Sequence, residues 1–435
     1  MPKAHLFTEA AGAREAPANA IELQEVPLDG RGAQNKASWK ILFLVAEDFS
    51  FWARRRPLAR KAQEAGAEVW VMTCPGPYAE KLKREGFRVI PWEISRPSMN
   101  PLRELRAFLQ VVKVYRSLRP ELVHHFALKP VVYGGLAARL CKQVSCVHSI
   151  VGLGPSFTGR HWTMRLVRLL LLPLLRLALK NDASISIFQN QNNLDDLVAL
   201  GTVPAERVVL IRGSGVNTAQ FVPRPEPFGV PVVILPGRML WEKGVREFVA
   251  AAEMLQARGV SARFVLVGEP DTGHTTSIPE TQLREWAGSG VVEWWGQQDN
   301  MPEVLARSNL VCLPSHGEGV PKSLIEAASS GRAIVACEVP GCTEVVRDGE
   351  NGLLVPPQNP EALARALATL IQDPALRAKM GARGREIAVG EFADELVLPQ
   401  VISVYRNLLE RRWPDGLPAR PNGPRGYPAA SRSAF

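Results

Sequence analysis

Two carboxylates eight positions apart, Glu318 and Glu326, bracket the segment richest in chemistry, C-L-P-S-H-G-E-G-V-P-K-S-L-I-E-A-A-S-S-G over residues 312–331. The apolar run Leu310 to Leu313 reads as a buried strand. A loop from Pro314 to Val320 then leads to a helix opened by Pro321, whose missing N–H costs nothing in a first turn. The free amides around Lys322 to Leu324 would make a site for an anion such as phosphate. Glu326 lies in the second turn and points back toward the helix start, so two acids would flank one anion site. Carboxylates repel phosphate but accept hydrogen bonds from hydroxyls, and the pair therefore points to the sugar or ribose of a nucleotide-sugar. The same spacing also occurs on any capped surface helix, so further residues have to support it.

They do so downstream of residue 231. Gly237-Arg238, Glu242-Lys243-Gly244, Gly268-Glu269, the E-G-V-P-K-S-L-I-E run, Pro340-Gly341-Cys342-Thr343-Glu344 and the stretch from Asp348 to Val355 follow one another in a set order. In that order and spacing the chain resembles the glycosyltransferase group 1 family, family 4 of the retaining glycosyltransferases. The resemblance is strong from about Pro231 to Tyr405 and thinner from Lys40 to Leu210. It implies an α/β fold of two Rossmann-like doubly wound domains facing each other across a cleft, the glycosyltransferase B fold. By position, Arg238 and Lys243 are implied to bind the donor diphosphate, Glu318 the hydroxyls of the transferred sugar, and Glu326 the ribose. Gly237, Gly268 and Glu269 fall in the donor site, and Gly319, Lys322, Ser323 and Leu324 would supply loop and helix amides. Transfer with retention of anomeric configuration, without a protein nucleophile, is part of the same implication.

Elementary electrostatics agrees with the role given to the two cations. A departing nucleoside diphosphate gains charge in the transition state, and cations already placed on it lower the barrier. No D-x-D metal motif accompanies them. The expectation is that Arg238 and Lys243 stand in for Mg²⁺, with no metal and no cofactor, the nucleotide-sugar being a substrate. His124 is a further catalytic candidate. A strand expected over Leu122 to His124 ends in His124-His125-Phe126, and ligands of open α/β sheets bind at strand C-termini. The family often carries His-x-His here, and His124 matches its first histidine.

The elements that must hold these residues follow from alternation. Apolar runs at Lys40–Val45, Glu68–Met72, Phe87–Ile90, Leu122–His124, Ser145–Val151, Ser184–Phe188 and Val208–Ile211 alternate with helix-length stretches, as do runs at Val232–Leu235, Phe264–Val267, Val291–Trp294, Leu310–Leu313 and Ala333–Ala336. Such alternation means parallel, doubly wound sheets. A chain of 435 residues also exceeds one ordinary core. The boundaries are a disordered tail at 1–38, an acceptor-binding domain at 39–212, and a Gly- and Pro-containing hinge at 213–230. A nucleotide-sugar domain at 231–395, a helix at 396–413 returning to the first domain, and a disordered tail at 414–435 complete the division. The first loop, Ala46 to Trp52, carries Glu-Asp-Phe-Ser-Phe where many relatives have a glycine pair, so its acceptor contacts differ from theirs. A helix is expected from Arg54 to Ala65.

Charge is unevenly shared. The net +9 conceals +13 over residues 39–212 against −5 over 213–413. A basic domain of this kind suits an anionic membrane surface or a diphosphate-bearing substrate; nucleic acid is excluded as a partner, because no recognition motif or aromatic platform accompanies the charge. Residues 160–180 hold five basic residues, no acid, and the run Leu169 to Leu175 broken by Pro173. This run is too short for a span of roughly 20 residues, and fits either a helix lying on a membrane surface or one packed on the sheet. Six cysteines without a C-x-x-C pair read as reduced thiols.

The resulting expectation is a hexosyl- or N-acetylhexosaminyl-transferase using a UDP-sugar and a lipid-diphosphate-linked saccharide acceptor. It would work on capsule, O-antigen or exopolysaccharide at the inner face of a bacterial cytoplasmic membrane. An epimerase or phosphorylase on the same fold, and a non-catalytic membrane-peripheral assembly protein, stand as alternatives.

Overall fold

The structure, a computed structural model, describes residues 39–414 apart from 96–97, 99, 142–143, 153–161 and 272. The expected tail at 1–38 lies outside the described residues, as do residues 415–435 and Arg160. The first sheet is built from β1 (Trp39–Glu47), β2 (Ala67–Cys74), β3 (Arg88–Pro91), β4 (Leu122–Phe126), β5 (Ser145–Ile150), β6 (Ser184–Phe188) and β7 (Val208–Leu210). All pairings are parallel, in the order β3-β2-β1-β4-β5-β6-β7. The second sheet uses β8 (Val232–Pro236), β9 (Arg263–Val267), β10 (Glu293–Trp294), β11 (Leu310–Leu313), β12 (Ala333–Cys337) and β13 (Gly352–Val355). It is also all parallel, ordered β10-β9-β8-β11-β12-β13. In each sheet the chain starts at a central strand, runs to one edge and returns to fill the other. That order is doubly wound and opens a crevice at the strand C-termini where it reverses.

Strands buried on both faces read as unbroken apolar runs, which is why β1, β8, β11 and β12 were visible as sequence. Ile41 to Leu44 and Val233 to Leu235 are wholly buried. The first sheet carries separate packed clusters on its two faces, while a single cluster surrounds the second.

Three departures from expectation bear on the site. The stretch 46–52 is not a loop: β1 runs to Glu47 and a helix, Asp48–Arg54, follows at once. The buried Asp48 carboxylate accepts the N–H groups of Phe49 (2.7 Å), Tyr78 (2.8 Å) and Ala79 (2.9 Å). This ties the helix start to the start of the next βα unit and holds it against the strand. A second helix, Arg56–Glu64, begins after one non-helical residue, Arg55. The β11 helix begins at Lys322, with Pro321 capping it from an extended conformation.

The closing helix, Asp394–Arg412, crosses back to the first domain. Its Val397, Val401, Ile402, Val404, Tyr405 and Leu408 pack in one cluster with Ile41, Phe43, Phe126 and Ile185. Full burial of one such side chain is worth about 1.5–3 kcal/mol relative to exposure, so this face clamps the two domains together. Val216 of the connecting segment adds backbone bonds to Phe392 and Asp394, each 2.9 Å.

Candidate active site

The two domains meet around the β11 loop. Gly319 comes so near the first domain that a Cβ there would lie 1.7 Å from the Val151 carbonyl oxygen. Its own carbonyl accepts the Asn190 side-chain amide at 3.1 Å. Only glycine fits between the domains at this point. Lys322 spans the same gap: its ammonium donates to the Ala53 carbonyl at 2.8 Å and lies 3.7 Å from Glu326 Oε1. Burial lowers the Lys322 pKa, against the pull of Glu326 and Asp394.

Inside this cleft the sequence-assigned charges come together in pairs. Lys243 is in direct contact with Glu318, and Arg238 reaches Asp271 at 2.5 Å. Glu326 has its pKa raised by burial, opposed by Lys322 and then by Arg54. Lys243 arrives on a short turn, Trp241–Lys243, that ends at Gly244 with φ of 75°. A Cβ on Gly244 would lie 2.0 Å from the Pro314 carbonyl oxygen, so the turn and the β11 loop can approach only here. Gly237 and Gly268 end β8 and β9. A Cβ on Gly268 would sit 1.9 Å from the Gly237 carbonyl oxygen, which packs the two strand ends edge to edge. Glu269 follows as an exposed residue whose carbonyl accepts from Met239 at 2.9 Å.

At the Lys322–Ser329 helix, the amides of Lys322 and Ser323 have no acceptor among the described residues, which leaves two donors at the positive end of the helix dipole. The Leu324 amide differs from expectation, because it donates to the Pro321 carbonyl at 3.1 Å. A tight first turn has consumed it.

His124, the catalytic candidate on β4, is enclosed by the protein. It is 1% exposed, its Nδ1 lies 2.6 Å from the Tyr405 hydroxyl and its Nε2 2.7 Å from Ser149 Oγ. Burial, reinforced by Arg55, holds its pKa well below the usual histidine range. Both ring nitrogens are engaged inside the protein, so His124 stays neutral under the cleft floor, where its ring forms part of the wall of a small cavity. His125 is buried too, 2.6 Å from the Tyr115 hydroxyl and 2.9 Å from His148 Nδ1.

Sequence reasoning missed Arg54. It ends the Asp48–Arg54 helix, is exposed to the cleft, and sits within electrostatic reach of Arg238, Glu318 and Glu326, three residues of the other domain. The only signal was the triplet Arg54-Arg55-Arg56 placed just after a strand end. No group of three His, Cys, Asp or Glu side chains suited to a metal ion occurs among the described residues. All six cysteines are free.

The arrangement can bind a phosphorylated sugar: cations and helix amides for the phosphates, carboxylates beside them for hydroxyls, and a second domain that closes over both. Comparison with known proteins places it. A family model described as "Glycosyl transferases group 1" matches residues 230–373, and one described as "Glycosyl transferase 4-like" matches residues 40–190. The chain is 29% identical over 384 residues to the N,N'-diacetylbacillosaminyl-diphospho-undecaprenol alpha-1,3-N-acetylgalactosaminyltransferase of Campylobacter jejuni, covering 85% of this chain and 99% of that one. It is 26% identical to the putative glycosyltransferase EpsD of Bacillus subtilis, over 84% of this chain and 96% of the relative. Among solved structures, sucrose-phosphate synthase from Thermosynechococcus elongatus superposes with a TM-score of 0.70 at 22% identity, covering 86% of this chain and all of that one. Anabaena HepE in complex with UDP and glucose gives 0.69 at 21%, covering 85% and 99%. The fold is that of glycosyltransferase B, and this chain belongs to the group 1 glycosyltransferases.

Proposed function

We propose that this glycosyltransferase moves a hexose or N-acetylhexosamine from a UDP-sugar to a saccharide carried on a lipid diphosphate, with retention of anomeric configuration and without a metal ion. The observation that carries the reading is the contact between Lys243 and Glu318, with Arg238 and the Lys322–Ser323 amides beside them. One bound donor would lay its diphosphate on the cations and its sugar hydroxyls on Glu318, displacing the ion pairs that hold these side chains in the free protein. Charge growing on the leaving diphosphate would then meet Arg238 and Lys243 already in place. Glu326, on the second turn of the same helix, is within reach of the ribose. UDP as the nucleotide is supported by the UDP in the HepE complex, and the lipid-diphosphate acceptor by the name of the Campylobacter relative.

Docking of the first domain on an anionic membrane surface fits the same reading. No helix among the described residues is long and apolar enough to cross a membrane. The Pro101–Leu118 helix leaves Leu102, Leu105 and Leu109 exposed at i, i+3 and i+7, Leu102 to 70%, between Arg103, Arg106 and Lys113. It packs on the Leu128–Leu140 helix, which packs on the Trp162–Leu179 helix, where Leu169, Leu174 and Leu177 are also exposed beside Arg176. Apolar side chains among cations are what an interfacial helix presents to anionic lipid.

The test is thermal stabilisation by a panel of nucleotide-sugars. A donor at about 100 times its Kd adds roughly 2.7 kcal/mol to folding stability. UDP-sugars are expected to raise the melting temperature more than the GDP-, ADP- or dTDP-linked compounds. Stabilisation by none of them would remove the donor assignment.

A further inference from the structure

Under the acceptor side of the cleft lies a cavity of about 20 Å³, room for one water-sized group. Of the residues lining it, only Arg54 and Ser214 are not buried, so its mouth opens between the end of the Asp48–Arg54 helix and the hinge. Its wall includes Arg55, which is 6% exposed. The Arg55 guanidinium lies 4.4 Å over the Phe126 ring. It forms no ion pair and its side chain donates no hydrogen bond to any described residue, and its Nε is fully buried. The Gln189 Oε1 atom in the same wall likewise accepts nothing from the described residues.

A buried cation facing another cation is costly unless something offsets it. Burial, and then the charge of Arg54, push the Arg55 pKa down to about 9, so the group remains charged at neutral pH. The aromatic face beneath Arg55 supplies part of the compensation. The remaining compensation has to come through the mouth, where Arg54 adds a second guanidinium and where the N–H groups of Gly213 and Ser214 donate to no described acceptor. Every one of these groups is a donor or a positive charge, Gln189 Oε1 and the Ser214 hydroxyl aside.

We propose that Arg54 and Arg55 form a second anion site, separate from the donor diphosphate site, that receives a phosphate group of the acceptor with one oxygen entering the cavity beside Arg55. The inference rests on the reading of the chain as a transferase for a phosphate-bearing acceptor. It also accounts for the segment 47–51, which lacks the glycine pair common among relatives: the helix that replaces the loop delivers two guanidiniums where bare backbone would otherwise stand. A phosphate held here lies on the first-domain side of Glu318, so the acceptor saccharide attached to it would extend toward the donor sugar.

The test titrates inorganic pyrophosphate into protein already saturated with UDP, followed by calorimetry. Wild-type protein is expected to bind UDP and then, independently, pyrophosphate. Arg55→Met should abolish the second event with UDP affinity unchanged, and Arg54→Gln should weaken it about tenfold or more. Arg55→Gln, which keeps a polar end in the cavity, carries the test should Arg55→Met fail to fold. Failure of the wild type to bind UDP would count against the donor reading alone, since Arg55-dependent pyrophosphate binding can be measured without it. The second-site proposal is overturned if UDP-loaded wild type does not bind pyrophosphate, if the Arg55 variant keeps that binding, or if its UDP affinity falls in step with it.

Discussion

Replacing Lys243 separates chemistry from folding, because its ammonium has two jobs in this structure. On the proposed reading it meets the charge growing on the leaving diphosphate, and it is the contact partner of Glu318, both side chains being largely buried at 18% and 10% exposure. Loss of one preorganised transition-state partner costs about 2.7–4 kcal/mol, or roughly 100- to 1000-fold in kcat. Lys243→Ala also leaves the Glu318 carboxylate without its contact cation. Breaking a fully buried pair costs about 3–5 kcal/mol; Arg54 in the same field and the residual exposure place this one nearer ~1–2 kcal/mol. The double variant Lys243→Ala/Glu318→Gln removes the orphaned charge, so it should recover stability but not activity. The assay is UDP release at saturating donor, run beside thermal denaturation of wild type, both single variants and the double. Turnover of Lys243→Ala within about tenfold of wild type would refute the reasoning, since that is below the smallest loss expected for a transition-state cation. Recovery of activity together with stability in the double variant would refute it as well, by showing that the cation acted only on folding.

Further outcomes follow from other parts of the structure. Activity should survive EDTA if Arg238 and Lys243 face the diphosphate as proposed; strict loss restored by Mg²⁺ or Mn²⁺ would show the leaving group is stabilised otherwise. His124, His125 and His148 are buried and neutral, with pKa values lowered chiefly by burial, His148 to about 3. The unfolded chain therefore binds protons that the folded one does not once the pH falls below about 6.5. This contribution to stability is complete above that pH and is lost on acidification toward 3, at up to ~1.4 kcal/mol per pH unit for each histidine. Denaturant midpoints from pH 7.5 to 5 check it, and His125→Gln/His148→Gln should flatten the slope. Wild-type protein should sediment with anionic liposomes at low salt and release at high salt, while Leu102→Ser/Leu105→Ser/Leu109→Ser should bind less; equal binding to neutral liposomes would remove the electrostatic part of the docking account.

Twelve of the thirteen strands among the described residues were legible, most of them because a strand covered on both faces is largely apolar, and β6 and β11 matched theirs to the residue. The strand Gly352–Val355 went unassigned: four residues opening on glycine carry little strand signal of their own, and β12 supplies the pairing. The 46–52 segment was misread as a loop because its helix is held by Asp48 reaching Tyr78 and Ala79, thirty residues on, which no local pattern encodes. The enclosure of His124 was illegible for a similar reason. A strand-end position suits ligand binding, but Tyr405, 281 residues away, covers the ring and occupies Nδ1. Arg238, Lys243, Glu318 and Glu326 could be named as donor-side candidates since they share one domain and a motif order. Arg54 could not, because it completes the cleft from the opposite domain and acquires its meaning only when the two close.

Transfer itself is tested most directly by incubating the protein with an α-linked UDP-sugar, with and without a polyprenyl-diphosphate-linked saccharide. UDP release and the anomeric configuration of the product are followed by NMR. The account predicts UDP release only with the acceptor present, in step with formation of an α-linked extended saccharide. A β-linked product would contradict retention. A UDP-sugar epimerised without acceptor, or release of UDP that ignores the acceptor, would contradict the transfer reaction proposed.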